Sequence, residues 1–157
     1  METDRKRAAL WVLAGGLVAG TFDITYACTY WAIKIGAPPT RIFQSVARGL
    51  LGPASYRGGA ATAALGLFLH YFIATTMSIF YYFVARKWAP LHKYPLRCGA
   101  VYGLCLYLVM TYVVVPLSAA GGGGPQDRIW IVLSILVHMF LIGVPIAFFT
   151  RRAIHSR

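Results

Sequence analysis

Carboxylates are scarce in this chain. Four Asp and Glu residues stand against fifteen Lys and Arg residues, and only Asp23 lies inside a long apolar stretch. A pair of acids for acid–base catalysis is missing, and so are the G-x-S-x-G and H-E-x-x-H motifs. No motif for nucleic-acid binding is present, and no C-x-x-C pair occurs among the three cysteines. The residues therefore leave the question of an enzymatic activity open and favour its absence.

Four long apolar blocks fill most of the sequence, at about residues 8–33, 59–85, 98–117 and 129–150. Each block has about the 20 residues that a helix needs to cross the hydrocarbon core of a bilayer. A hydrophobic fraction of 59% with 12% charged residues is typical of a membrane protein. We therefore predict an all-α polytopic membrane protein, in which four transmembrane helices form one bundle and one domain over residues 1–157.

The basic residues lie beside the apolar blocks, which predicts contact with lipid headgroups rather than with nucleic acid. The N-terminal tail has three Lys or Arg residues, the second connection four and the C-terminal tail three, against five on the other side. The positive-inside rule then places both termini in the cytoplasm. The first apolar block continues to Ile33, which is longer than the apolar part of a secretory signal and favours a retained span.

The first connection contains an amphipathic segment at about residues 40–52. Its apolar residues recur at helical spacing, and the polar face includes Arg41 and Arg48. A helix on the outer membrane surface is preferred over a re-entrant segment, because arginine is costly to bury. Arg41, Arg48 and Arg57 are accordingly predicted to contact headgroups. The glycine-rich third connection, residues 121–127, is predicted to be a flexible turn.

Small residues and a few polar ones share helix faces. Gly16, Gly20 and Asp23 lie on one face of the first span, where the G-x-x-x-G pattern allows a second helix to approach closely. Spans two to four carry further glycines and polar residues at similar spacing: Thr62, Gly66, His70, Ser78, Gly99, Gly103 and His138. A bundle with these faces inward would bring Asp23, His70 and His138 to a shared interior.

A faint internal repeat supports this arrangement. Gly16–Gly20 resembles Gly99–Gly103, and the segment around His70 resembles the segment around His138. The simplest interpretation is a duplicated two-helix hairpin.

Several functions remain open for this interior. The two histidines could serve only to hydrogen-bond the helices together, or they could form a polar pathway for protons or ions with Asp23 as the titrating group. A third hypothesis is bis-histidine haem ligation by His70 and His138, with Arg41, Arg48 or Arg57 meeting the propionates. A divalent metal held by the same side chains is weaker, since their spacing is not diagnostic. The small-residue faces also suit a homo-oligomer or a structural subunit of a larger membrane complex.

Five stretches stand out together: Gly20–Asp23, Gln44–Gly52, Gly58–Leu67 followed by His70, Gly99–Gly103 and Val113–Ser118. In these stretches the chain resembles a group of small bacterial inner-membrane proteins, and its overall plan more distantly resembles the YagU family. It implies a bacterial cytoplasmic-membrane protein with four spans, a long first outer loop, and one histidine in each of spans two and four. It implies no activity. The sequence departs from the YagU pattern around Arg41–Arg57, so no role of that loop follows from the resemblance.

Overall fold

Four helices in the structure are long and apolar enough to cross a membrane. The computed structural model describes residues 2–122 and 127–156, and it places these helices at Glu2–Ile35, Gly59–Lys87, Pro95–Leu117 and Arg128–His155, here called spans one to four. Within the described residues there is no strand. The predicted all-α, four-span fold is therefore confirmed.

Three shorter helices connect the spans. The loop helix, Pro39–Leu51, and a 3₁₀ helix, Gly52–Arg57, lie between spans one and two. A four-residue helix, Pro90–Lys93, lies between spans two and three. We call the end of the bundle that carries residues 36–58, 118–122 and 127 the loop end, and the opposite end, where span one begins and span four ends, the terminal end. The middle of the glycine-rich connection, residues 123–126, lies outside the described residues.

The turn after span one follows directly from its residues. Gly36 adopts a φ of 68°, and its N–H donates to Ala32 O at 2.9 Å while the N–H of Ala37 donates to Trp31 O at 3.2 Å. The bond from Gly36 to Ala32 O is that of an αL C-cap, which requires the left-handed conformation that glycine adopts most readily. Pro39 then begins the loop helix, a position where its missing N–H costs no hydrogen bond.

The spans form two contacting hairpins that close tightly at the terminal end. Span one packs on spans two and four, and span three packs on span four. A cluster of buried side chains extends from the middle of the bundle into its terminal half; among its members are Tyr81, Leu106, Val137, Ile142 and Ile146. The Tyr81 hydroxyl donates to Leu91 O at 2.9 Å, so the buried ring has a partner for its polar atom.

Spans three and four each contain a π-helical segment, at Met110–Val114 and His138–Gly143. Each segment ends two residues before a proline, Pro116 or Pro145. Proline supplies no N–H to the carbonyl four residues earlier, so the helix must rearrange locally. The wider i→i+5 bonding of a π turn does this: the N–H of Val144 donates to the carbonyl of Met139.

Candidate functional site

A cavity of about 670 Å³ lies at the loop end of the bundle, between the two hairpins and beneath the loop helix. All four spans and the loop helix contribute to its walls. Most wall residues are apolar, for example Ile24, Val46, Ile73 and Val114. Pockets of this volume, with apolar walls and a few polar groups, are typical of small-molecule sites.

Asp23 and His70 line this cavity together. The Nδ1 atom of His70 lies 4.0 Å from Asp23 Oδ2, which is too far for a direct hydrogen bond. The Nε2 atom of His70 lies 2.8 Å from Gly20 O. Because a carbonyl only accepts, Nε2 carries the hydrogen and donates it. The gap between Nδ1 and the carboxyl group therefore suits a bridging water or a polar group of a ligand.

His138 lines the same cavity from span four. Its Nδ1 atom donates to Ser134 O at 2.8 Å, one turn earlier in the same helix. In the neutral ring Nε2 then keeps its lone pair. The edge of the imidazole packs against the Tyr107 ring with the centroids 5.4 Å apart. The three polar residues expected in a shared interior thus line one cavity, and His138 offers it an acceptor.

Close helix contacts at glycines position both histidines. In the first hairpin, a Cβ on Gly16 would lie 2.6 Å from Thr75 Cα, and a Cβ on Gly20 would lie 3.1 Å from the Tyr71 ring. In the second hairpin, Gly99 contacts Val144 and Gly103 contacts the His138 carbonyl. Both G-x-x-x-G patterns therefore face the histidine-bearing span of their own hairpin, as a duplicated hairpin would place them.

The loop helix packs on spans one and two. The Phe43 carbonyl meets Gly66 of span two so closely that a Cβ there would collide with it. Ile42 joins a buried cluster with Ile24 of span one. Spans one and two thus cover Ile42 and Ala47 of the apolar face, while Leu50 and Leu51 at the end of the helix stay exposed. This contact depends on distant segments and is not contained in the amphipathic pattern.

Two of the three arginines predicted to contact headgroups, Arg41 and Arg48, line the cavity. Arg48 donates from Nη2 to Ala120 O at 2.7 Å, and its buried Nε atom has no hydrogen-bond partner among the described residues. The Arg41 guanidinium lies 3.9 Å from the centre of the Tyr56 ring. Arg57 is exposed and does not line the cavity.

Two candidate ligand-binding residues, Ser78 and Thr62, do not line the cavity. Ser78 is fully buried and donates to Val12 O at 2.8 Å, which ties span two to span one near the terminal end. The Thr62 hydroxyl donates to Ser55 O at 2.6 Å and stabilises the 3₁₀ helix. Both side chains donate to backbone carbonyls and lie apart from the three polar residues that line the cavity.

Asp127 is a structural residue that the sequence pattern did not single out. Its carboxylate lies 2.9 Å from Lys34 Nζ and accepts from the Tyr30 hydroxyl at 2.8 Å, and it also caps span four by accepting from the N–H of Ile129 at 2.9 Å. The hydrogen bond from Lys34, followed by that from Tyr30, lowers the pKa of Asp127 to about 2. An Asp directly before an apolar block is an N-cap signal that could have identified it.

The orientation of the His70 ring nitrogens and the grouping of possible metal ligands bear on the haem and metal hypotheses. In this arrangement His70 Nε2 donates to Gly20 O and Nδ1 faces Asp23, so neither nitrogen is directed toward a haem iron. Within residues 2–122 and 127–156, no group of three His, Cys, Asp or Glu side chains could hold a metal ion. The residues present therefore do not fit bis-histidine haem or a three-ligand metal site.

Comparison with protein-family models, with curated proteins and with solved structures finds no match to this chain. The resemblance to the YagU family stays a prediction.

Proposed function

We propose that this protein binds a small amphipathic ligand within the membrane, in the cavity at the loop end. One observation carries the proposal: a cavity of about 670 Å³ has apolar walls and polar groups at separate places, Asp23, His70 and His138 on the spans and Arg41 and Arg48 on the loop helix. A molecule with an apolar body and polar ends satisfies both kinds of surface.

Binding is favoured over conduction by the terminal half of the bundle. Met77 and Ile142 line the cavity, and the buried cluster around Tyr81, Leu106 and Ile146 lies one turn beyond them. A proton or ion route needs polar groups or water along its length, and this cluster offers mainly packed apolar side chains. The cavity therefore ends where that cluster begins.

The glycine faces no longer favour an oligomer, since Gly16, Gly20, Gly99 and Gly103 are all covered by helices of the same chain. A homo-oligomer or a place in a larger membrane complex remains a hypothesis without support from these faces. The proposed location is the bacterial cytoplasmic membrane with both termini inside the cell. It is supported by the excess of basic residues at the terminal end and by the family resemblance.

Tryptophan quenching tests the proposal, because Trp31 and Trp130 line the cavity. The full chain with Trp11→Phe and Trp88→Phe is placed in phosphatidylcholine nanodiscs, and ω-bromoundecanol or ω-bromoundecyl phosphate is added. We expect a saturable quenching component at a low mole fraction of probe in the disc. It should disappear in the cavity-filling variant Val46→Phe/Ile73→Phe.

The control is Leu50→Phe/Ile79→Phe, which also places one new phenyl ring on each of the same two helices, at exposed positions outside the cavity. It should quench like the parent. Quenching by both probes that rises only in proportion to their mole fraction, with no saturable component, would overturn the proposal.

A further inference from the structure

Arginine side chains on one face of the loop helix indicate the chemistry of the polar end of the ligand, which the proposed binding function does not name. Arg41, Ser45 and Arg48 follow steps of four and three residues, so they share a helical face, and all three line the cavity. Gln44, which the sequence pattern places on the same polar face, turns away and donates to Gly59 O at 3.0 Å. The face directed at the cavity is therefore strongly cationic.

No carboxylate among the described residues lies within ion-pair distance of either arginine. Asp23 faces His70, and Asp127 is held by Lys34 and Tyr30. The remaining acids, Glu2 and Asp4, lie at the other end of span one. The protein thus brings two guanidinium groups to the wall of a largely apolar cavity without supplying an anion beside them.

The hydrogen bonds of Arg48 are incomplete. A guanidinium has five N–H groups in a planar fork, and the described residues supply one acceptor, Ala120 O. The Nε atom is buried with no partner. Buried polar groups are normally satisfied, so an unpartnered guanidinium atom beside a cavity indicates a missing acceptor.

Arg48 and Arg41 are both held in place by neighbouring groups. The N–H of Ala119 donates to Gly49 O at 3.0 Å, which fixes the loop helix to the connection after span three next to the Arg48 contact. Arg41 stacks on the Tyr56 ring at 3.9 Å, an arrangement that leaves the edge of its planar group available. Fixed, planar donors are suited to the oxygens of a phosphate or carboxylate.

We propose that the polar end of the ligand is an anion, a phosphate or carboxylate, and that Arg48 binds it with Arg41 beside it while the apolar body occupies the cavity below. This inference rests on the proposed function and names the class of ligand. The anion could belong to a membrane lipid headgroup or to a free oxyanion, and the two sources are separated below.

The test compares a matched pair of probes in the nanodisc system described above. The mole fraction of ω-bromoundecyl phosphate at half-saturation should be about one-tenth of the mole fraction that ω-bromoundecanol needs, or lower. The reason is that charge-assisted hydrogen bonds are stronger than neutral ones. Arg48→Gln should remove most of this preference and leave the alcohol unchanged. Arg48→Lys, which keeps the charge and loses the fork, should fall between.

Arg57→Gln is the control, because Arg57 lies in the same connection but outside the cavity. It should bind both probes like the parent. Arg41→Gln provides a second variant that leaves the Arg48–Ala120 bond intact, and it should weaken phosphate binding less than Arg48→Gln. Thermal unfolding of each variant shows whether the loop helix is still folded.

Competition identifies the source of the anion. Displacement of the alkyl phosphate by phosphatidylglycerol in the disc would assign a lipid headgroup, and displacement by inorganic phosphate would assign a free oxyanion. Equal binding of alcohol and phosphate, unchanged in Arg48→Gln and Arg41→Gln, would overturn the anionic site while the proposed cavity function stands. Absence of saturable quenching by both probes in the parent protein would instead overturn the proposed function.

Discussion

The two helical hairpins carry similar residues and use them differently. In the first hairpin, the His70 ring crosses to span one and donates to Gly20 O at 2.8 Å. In the second, the His138 ring turns back to Ser134 O of its own span, and it is the backbone carbonyl of His138 that meets Gly103. The glycine pattern sets which helices touch. It does not set which atom of the histidine makes the contact.

Proline accounts for the difference. Span two has no proline and is a regular α-helix from Gly59 to Lys87. Span four has Pro145, and the π segment His138–Gly143 begins at the histidine. A π turn holds an additional residue, which changes the direction of the side chains and carbonyls within it. The second hairpin therefore presents backbone where the first presents an imidazole.

The largest expected difference between the hairpins concerns their central glycines. A Cβ on Gly103 would collide with the His138 carbonyl and lie 2.7 Å from Met139 Cα, both of which are backbone, whereas a Cβ on Gly20 would meet side-chain atoms at 3.1 and 3.2 Å. Gly103→Ala should therefore lower the free energy of unfolding by about 3 kcal/mol and Gly20→Ala by about 1 kcal/mol or less.

Unfolding in mixed micelles titrated with sodium dodecyl sulfate measures both values. Gly122→Ala is the control, because nothing lies within 4 Å of a Cβ at that position. Equal losses for Gly20→Ala and Gly103→Ala would show that the two close approaches are equivalent.

Replacing Pro145 should make the second hairpin more like the first. Pro145→Ala restores an N–H that can donate to the Leu141 carbonyl, so we expect the π segment to return to α-helical bonding and the His138 ring to change direction. A structure of the variant, or amide nitrogen and carbonyl chemical shifts over residues 138–144, would detect the change.

The control for this experiment is Pro95→Ala. Pro95 is the first residue of span three, where a proline costs no hydrogen bond, so its replacement should leave the helix unchanged. A π segment that persists in Pro145→Ala would mean that packing against span three, not the proline, maintains it.

The histidines should differ in their contribution to stability. His70→Phe removes a hydrogen bond between two spans, and such bonds in membranes are worth about 0.6–2 kcal/mol. His138→Phe removes a hydrogen bond within one helical turn. Span four does not need this bond for its contact with span three, so we expect a smaller loss in the free energy of unfolding. The same micelle titration measures both; an equal or larger loss for His138→Phe would contradict the assignment of its ring to a local bond.

The smallest effect is expected at the link between the hairpins, Asp127 with Lys34 and Tyr30. The pKa of Asp127 is lowered to about 2 in the folded protein, below its usual value near 4. Its contribution to stability is therefore complete above about pH 4 and is lost as the pH falls through about 2. Asp127→Asn should remove this part of the acid dependence.

The measurement is the midpoint of unfolding between pH 5 and pH 2 in nanodiscs. Glu2→Gln is the matched control, since its salt bridge with Lys6 lies in the exposed first turn of span one at the other end of the bundle. An identical pH profile for wild type and Asp127→Asn would contradict a role of this carboxylate in joining the hairpins.

Much of the architecture could be predicted because it depends on short-range information. The span limits of about 59–85 and 129–150 are close to the observed Gly59–Lys87 and Arg128–His155, since an apolar stretch of that length has few alternatives in lipid. The observed helices run past the apolar blocks by a turn or so because polar residues at the ends can remain helical in the headgroup region. The turn at Gly36 depends on the same kind of short-range information, the positive φ of one glycine and the proline that begins the next helix.

The candidate site was predictable only in part. Asp23, His70 and His138 share the cavity because lone polar groups in apolar helices turn away from lipid. Ser78 lies eight residues after His70 in the same helix and shares its spacing pattern, but its hydroxyl donates to Val12 O and does not reach the cavity. Arg41 and Arg48 were expected at headgroups, since nothing in a local pattern reports that spans one and two would cover the loop helix and place its cationic face over a cavity.

Residue pattern alone is sufficient for the number of spans, the end of span one at Gly36 and the glycine faces that allow a close helix contact, because each follows from solvation in lipid or from backbone sterics within a few residues. The cavity, the cationic face above it and the bond from His70 to Gly20 O arise only when segments distant along the chain meet. Each of these features is formed by two or more such segments, so it cannot be read from one stretch of sequence.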